Sequence, residues 1–149
     1  MRRFCFLFYL LAPSLFALAL QAAETQTLLR ASTDWNGGAF HYPAGEPEIT
    51  AVQITLKPGE KLPFHCHPIP TMGFLKSGAL TVETLDGARR TLHAGEPLVE
   101  VMNAWHRGIN SSKKEEAVIL VFYAGAKDIP TTHFPKHGGE KEACEDTRK

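Results

Sequence analysis

Short apolar segments separated by glycine and proline turns run along most of this 149-residue chain. The clearest turn is Asp86-Gly87, a two-residue hairpin signal that joins the apolar segments 80–85 and 88–92. No stretch has the apolar period of a long amphipathic helix. The other predicted strands are residues 49–56, 62–67, 71–75, 98–101, 104–109 and 117–123. Short strands with turns at near-regular spacing predict an all-β fold, a single antiparallel β-barrel or sandwich.

The first 23 residues have the layout of a secretory signal peptide. Arg2 and Arg3 precede an apolar run over residues 4–20, and the small residues Ala22 and Ala23 follow it. The run is about as short as a membrane-spanning helix can be, and a proline interrupts it, so we expect cleavage rather than a membrane anchor. The protein is therefore expected in the periplasm or outside the cell. The predicted segments are a signal peptide (1–23), an N-terminal arm (24–45), the β-barrel (46–130) and a polar, flexible C-terminal tail (131–149).

The charge of the chain excludes two classes of partner. The whole chain has 16 basic and 16 acidic residues, and removal of Arg2 and Arg3 with the signal leaves 14 basic residues against 16 acidic ones. A near-neutral protein without a basic patch has neither a nucleic-acid surface nor a basic membrane-binding face. We expect a small-molecule substrate or ligand, no nucleic acid and no membrane contact after cleavage. A homodimer is compatible with the sequence.

Two cysteines, Cys66 and Cys144, remain after Cys5 is removed with the signal peptide. In an oxidising compartment they can form a disulfide that ties the tail to the barrel. They can equally be a free thiol and a tail residue, because the sequence does not show whether their β-carbons lie close together. Both alternatives stay open at this point.

Two of the seven histidines are one residue apart in a predicted strand. Successive side chains of a strand point to opposite faces, so His65 and His67 share one face and Cys66 takes the other. Two imidazoles on one face can bind a single metal ion, although a His-x-His pair alone has many chance matches. Four further histidines are expected to be surface or packing residues: His41, His93, His133 and His137.

The surroundings of this pair resemble the first motif of the cupin superfamily, Gly-x5-His-x-His-x3or4-Glu-x6-Gly. Gly59, His65, His67 and Gly78 have the spacing of that motif. Thr71 stands at the position of the motif's glutamate when the count runs back from Gly78. The usual cupin site of three histidines and one glutamate, as in germin-like and oxalate-degrading members, is therefore absent in its usual form.

A second cupin motif, Gly-x5-Pro-x-Gly-x2-His-x3-Asn, follows in the expected order. Gly95, His106 and Asn110 have its spacing, while Val101 and Asn103 replace its proline and inner glycine. The chain therefore resembles small single-domain cupins over residues 49 to about 123. The resemblance implies a double-stranded β-helix, a jelly-roll-like barrel, and one divalent metal held by three histidines. Those histidines are His65, His67 and His106.

Three alternatives for completing the metal site stay open. Water can complete a three-histidine centre, as in the three-histidine dioxygenases of the superfamily, which leaves the open position that a catalytic metal needs. Glu100 can replace the missing carboxylate from a neighbouring strand, if it faces inward. Met72 can face inward instead, and its thioether would favour copper. A member that keeps the fold without a metal is the remaining interpretation, in which the histidines are hydrogen-bonded core groups.

The resemblance and the nitrogen-rich ligand set favour Fe(II), with Mn, Ni, Cu or Zn as other candidates. The favoured hypothesis is a dioxygenase-like oxidoreductase that acts on a small oxygenated molecule. The alternative is a cupin that binds a metal or small ligand without turnover. Phe64, Leu75 and Trp105 are expected to line an apolar pocket at the barrel mouth. The sequence indicates no general base, so the catalytic residues and the substrate stay unassigned.

Overall fold

The computed structural model describes residues 23–136 and residue 144, and this part of the chain consists of two antiparallel sheets. One sheet has the strand order β1-β7-β2-β5 and the other has the order β4-β3-β6. The strands are β1 (Pro47–Leu56), β2 (Thr71–Ser77), β3 (Ala79–Thr84), β4 (Arg89–His93), β5 (Pro97–Val99), β6 (His106–Ile109) and β7 (Ala117–Ala126). The all-β prediction is confirmed.

The predicted signal peptide lies almost entirely outside the described residues, which begin at Ala23. Within the described ranges, no helix has the length and apolar character needed to cross a membrane. Most of the predicted tail also lies outside them, since residues 137–143 and 145–149 are not described.

Strand β7 forms the centre of the larger sheet. It pairs along its whole length with β1, from Leu56 opposite Ala117 to Pro47 opposite Ala126, and it pairs with β2 on its other edge. Its side chains alternate between buried and partly exposed, as the two-residue period of a strand requires. Tyr123 is one of the buried residues of this pattern, and it lies opposite Thr71 of β2.

The inward faces of the two sheets enclose the apolar core. Each fully buried aliphatic side chain contributes about 1.5–3 kcal/mol to folding through the apolar surface it removes from water. The core side chains belong to six strands and to the segment before β2: Leu56, Ile69, Leu75, Leu80, Val82, Leu92, Leu98, Ala117, Ile119, Val121 and Tyr123.

The strand predicted over residues 62–67 is wrong. That segment forms only isolated bridges: His65 with His106, Cys66 with His133 and His67 with Met102. Pro63 and Pro68 explain the difference, because proline lacks the N–H group that a continuous ladder requires. The segment still runs beside β6, and this position brings its histidines close to His106.

Asn110 holds three chain segments together just after β6. Its side chain is fully buried, and Nδ2 lies 3.0, 3.1 and 2.8 Å from the carbonyl oxygens of Leu56, Lys57 and Glu115. Its Oδ1 accepts a hydrogen bond from the Ser112 N–H group. These contacts show that Asn110 fixes the turn that follows β6.

We expect the substitution Asn110→Ala to lower the free energy of unfolding by about 2–3 kcal/mol, because it leaves buried carbonyl groups without a donor. Urea denaturation of the two proteins measures this difference. Asn36→Ala is a matched control, since Asn36 is exposed, and its effect should stay within about 0.5 kcal/mol. An unchanged midpoint for Asn110→Ala would contradict the role assigned to this side chain.

Both terminal segments pack on the barrel. In the N-terminal arm, the backbone N–H group of Trp35 donates to the Val99 carbonyl oxygen at 3.0 Å, and the Trp35 side chain packs against the core. At the other end, Cys66 pairs with His133 in an isolated bridge, and a disulfide joins Cys66 to Cys144. The segment 131–149, predicted as a polar, flexible tail, thus contacts the rest of the protein at His133 and Cys144.

Candidate metal centre

Four side chains converge inside the barrel: His65, His67, Glu100 and His106. One nitrogen or carboxylate oxygen from each lies within 4.8 Å of the corresponding atoms of the others. His67, Glu100 and His106 are 2%, 7% and 1% exposed. The structure thus brings the three predicted histidines together and adds Glu100, the second of the open alternatives. Met72 lies 38% exposed on the outer face of β2, so the thioether alternative is wrong.

Backbone pairing fixes the positions of these side chains. The His65 N–H group donates to the His106 carbonyl oxygen at 2.9 Å, and the His106 N–H group returns the bond at 2.8 Å. The Glu100 N–H group donates to the Thr71 carbonyl oxygen at 2.9 Å, which aligns the end of β5 with the start of β2. The segments that carry His65 and His106 are therefore hydrogen-bonded to each other directly. The segment that carries Glu100 is hydrogen-bonded to the first residue of β2.

The ring Nδ1 of each site histidine lies against a backbone carbonyl oxygen. A carbonyl oxygen only accepts hydrogen bonds, so each Nδ1 carries the proton, and the Nε2 of the neutral ring carries a lone pair. This arrangement presents Nε2 to a metal ion, as in many metal-binding histidines. The acceptors for His65, His67 and His106 are Pro63 at 2.9 Å, Thr131 at 2.7 Å and Ala104 at 2.8 Å.

Glu100 supplies negative charge to the same point. Its Oε2 lies 2.9 Å from Nε2 of His106 and 3.2 Å from Nε2 of His67. Burial raises the pKa of Glu100, but the hydrogen bonds and charges of both histidines outweigh it and hold that pKa well below its usual range. A carboxylate and an imidazole lone pair repel each other at such distances, so the contact needs protons or a cation between them. This donor set fits a divalent metal ion.

His65 and His106 have opposite pKa shifts. Burial lowers the pKa of His65 to about 4, and the charge of His106 acts in the same direction. His65 is therefore neutral at pH 7 and able to donate its lone pair. Burial also lowers the pKa of His106, but the hydrogen bond and charge of Glu100 outweigh it, so that pKa is raised.

A cavity of about 30 Å³ adjoins the four side chains. This volume accommodates one or two water-sized ligands. Its remaining walls are mainly apolar and come from both sheets: Ile54, Leu62, Leu80, Val82, Gly108, Ile119, Val121 and Tyr123. Water in this space has few polar partners apart from the histidines and Glu100.

The predicted apolar pocket of Phe64, Leu75 and Trp105 is wrong. Phe64 does not line the cavity and has the Arg107 guanidinium 4.4 Å from the centre of its ring, and Leu75 is a fully buried core residue. Trp105 lines a separate surface depression with Leu85. Phe64 and Trp105 each precede a site histidine, and adjacent residues of an extended chain point to opposite sides.

Gly73 gives Ile119 room beside Glu100. A β-carbon at Gly73 would lie 2.8 Å from Cδ1 of Ile119, which is too close without a shift, and 3.5 Å from Oε1 of Glu100, which is an ordinary contact distance. The missing side chain therefore leaves space that Ile119 occupies, next to the carboxylate. Thr71, at the usual position of the acid, is buried, and its Oγ1 donates to the Ile69 carbonyl oxygen at 3.1 Å.

Tyr123 and Thr131 are site residues that the sequence analysis missed. The Tyr123 ring is 5.3 Å from the His67 ring in an edge-on arrangement, and burial raises the pKa of its hydroxyl group. The alternation of β7, which places Tyr123 on the inward face, was the available signal. Thr131 acts through a backbone carbonyl, for which no sequence signal exists.

A cupin domain model matches residues 52–123, a range that contains the four converging side chains. This chain is a small cupin-domain protein. The predicted family is thereby confirmed. No curated protein matches the sequence closely.

Two solved structures of low sequence identity have the same fold. A cupin-like protein from Thermotoga maritima is 16% identical with a TM-score of 0.51, over 66% of this chain and 74% of that chain. A double-stranded β-helix protein from Klebsiella pneumoniae is 19% identical with a TM-score of 0.51, over 65% of this chain and 90% of that one. An oxalate oxidase is 28% identical with a TM-score of 0.49, over 58% of this chain, which spans only 45% of that enzyme's chain.

Proposed function

We propose that this cupin binds one divalent transition metal through His65, His67, Glu100 and His106. The observation that carries the proposal is the orientation of the histidines. All three Nδ1 atoms are hydrogen-bonded to carbonyl oxygens, so the Nε2 lone pairs face one point that Glu100 also faces. Three imidazoles and one carboxylate suit Mn(II) and Fe(II), while Ni, Cu and Zn are further candidates.

The activity that we propose is oxygen-dependent oxidation of a small molecule. Four protein ligands leave two positions of a six-coordinate ion for exchange, and a bound redox metal would supply the electron chemistry. The protein contributes a buried carboxylate, fixed imidazoles and apolar walls that exclude bulk water.

A second candidate is a binding protein without turnover. The cavity of about 30 Å³ favours it, because few organic substrates fit such a space.

We expect purified protein, stripped of metal and titrated with Mn(II), to bind one equivalent. Glu100→Gln should weaken this affinity by about 100-fold or more, because it replaces a charged ligand with a neutral amide, and even the loss of a group that only orients a ligand costs about 10- to 100-fold. Glu48→Gln is the matched control, because Glu48 is exposed on β1. Equal affinities for the three proteins would remove Glu100 from the ligand set and restore the three-histidine site.

Oxygen uptake distinguishes the two candidate functions. Protein loaded with Fe(II) or Mn(II) is mixed with a panel of diketones, thiols and phenols, and oxygen is followed with an electrode. Metal-dependent uptake with one class supports the oxidoreductase. No uptake across the panel, from protein that binds metal, supports the binding protein.

The proposal includes export from the cytoplasm. The signal-peptide layout of residues 1–23 supports it, and so does the Cys66–Cys144 disulfide, because such bonds persist mainly in oxidising compartments. Fractionation of cells that express the full chain tests this part of the proposal. A cytoplasmic full-length product would contradict it.

A further inference from the structure

A short C-terminal segment lies directly against the segment 62–67, which carries His65 and His67. We call residues 131–134 the C-terminal strap. The Cys66 N–H group donates to the His133 carbonyl oxygen at 3.0 Å, and the His133 N–H group donates to the Cys66 carbonyl oxygen at 2.9 Å. Cys66 stands between His65 and His67, so these two bonds attach the strap to the backbone of the site.

A disulfide also links Cys66 covalently to the C-terminal region. Cys66 is bonded to Cys144, and the two cysteines are 0% and 5% exposed. The bond joins the backbone between two site histidines to a residue beyond the strap. The strap is therefore attached by two hydrogen bonds at His133 and by one covalent bond further along the chain.

The strap also orients one of the ligands. The Thr131 carbonyl oxygen accepts the hydrogen bond from Nδ1 of His67 at 2.7 Å, and Thr132 Oγ1 lies 3.3 Å from the same atom. The acceptors for His65 and His106 are only two residues away in the chain, whereas Thr131 is 64 residues from His67. Two site histidines are thus oriented locally, and the third depends on a distant segment.

We propose that the C-terminal strap is a positioning element of the metal site, and that its attachment by the Cys66–Cys144 disulfide makes metal affinity depend on the oxidation state of these cysteines. The inference rests on the proposed metal-binding function. With the strap in place, Nδ1 of His67 donates to Thr131, and Nε2 faces the other ligands. Without it, the ring loses its fixed acceptor and can rotate or change tautomer.

The redox step has a simple balance. A dithiol reductant transfers two electrons and two protons, the sulfur–sulfur bond breaks, and Cys66 and Cys144 become thiols. The reductant is oxidised to its own disulfide. Because both cysteines are buried, this exchange needs local opening of the strap, and we expect it to be slow in the metal-bound protein.

Zinc affinity tests the proposal, since Zn(II) does not oxidise or reduce the disulfide. Competition with a chromophoric chelator gives its Kd for wild type and for Cys144→Ser. We expect the variant to bind about 10- to 100-fold more weakly, as on loss of a hydrogen-bond partner of a metal-bound histidine. An unchanged Kd in a folded variant would overturn the proposal.

A second variant keeps the disulfide and covers the case in which Cys144→Ser does not fold. His133→Pro removes the N–H group that donates to Cys66. Lys136→Pro is its control, at an exposed position of the same C-terminal region. Weaker binding by His133→Pro alone is the expected result, and equal affinities for both proline variants would contradict the role of the strap.

Nitrogen-15 NMR of metal-free protein provides a readout that does not depend on metal binding. We expect a protected Nδ1–H signal from His67 in wild type, lost in His133→Pro, while the signals of His65 and His106 remain. Wild type that binds no zinc would refute the proposed function, and the His67 signal would then decide the strap alone. An unchanged His67 signal in His133→Pro would refute the strap.

Discussion

The substitution His106→Ala is expected to abolish stoichiometric metal binding, with a loss of affinity greater than about 100-fold. Removal of a group that merely orients a ligand costs about 10- to 100-fold, so removal of the ligand itself costs more. His106 is 1% exposed, and its Nε2 lies 2.9 Å from Oε2 of Glu100, closer than the 3.2 Å of the His67 Nε2. Metal analysis after dialysis, together with titration of stripped protein, measures the effect.

His93→Ala is the control for this experiment. His93 ends β4 at an exposed position and takes no part in the site, so its variant should bind one equivalent as wild type does. Circular dichroism of both variants shows whether His106→Ala keeps the fold, because that variant also leaves Glu100 buried with one fewer partner. Full metal content in a folded His106→Ala protein would disprove the site.

The histidines of the site could be predicted from the sequence because their spacing follows strand geometry and the two cupin motifs. Glu100 could only be offered as an alternative. Whether its side chain points the same way as His106 depends on the turn between β5 and β6. In that turn Asn103 has a φ of 56°, a conformation that breaks the two-residue alternation of a strand.

Other features follow from contacts that are distant in the chain. The segment 62–67 alternates like a strand, yet it forms only isolated bridges, and their partners, His106, His133 and Met102, lie far away in the chain. Thr131 contributes a carbonyl oxygen, which every residue type carries, to a histidine 64 positions away. The pairing of Cys66 with Cys144 likewise depends on tertiary proximity, with Cα atoms 6.2 Å apart. Local sequence patterns do not indicate such contacts.

Loss of the disulfide is expected to have the largest effect on stability. Cys66 and Cys144 are 78 residues apart, and cross-linking a loop of this length removes entropy from the unfolded chain equivalent to about 4 kcal/mol. We therefore expect Cys144→Ser to lower the free energy of unfolding by about 3–4 kcal/mol. Typical domains have about 5–15 kcal/mol in total, so the variant should be folded but much less resistant to urea.

Reduction of wild type provides the matched comparison. Metal-free wild type with a dithiol should unfold at the urea concentration of Cys144→Ser, and the reductant should not change the variant. If the reductant left wild type unaffected while its thiols were shown to be free, the disulfide would not be the source of the stability. The choice of Cys144 matters here, because Cys66 is fully buried between two site histidines and its substitution would disturb both of them.

The same measurements with metal separate the two effects of the disulfide. The entropic effect acts on the unfolded chain, so it is the same with and without metal. Metal stabilises the folded state by an amount that depends on Kd, about 2.7 kcal/mol at a free concentration of 100 times Kd. If the strap positions His67, a fixed concentration of zinc must stabilise Cys144→Ser less than wild type. Equal stabilisation would mean that the disulfide acts on the unfolded chain alone and that the metal site does not depend on it.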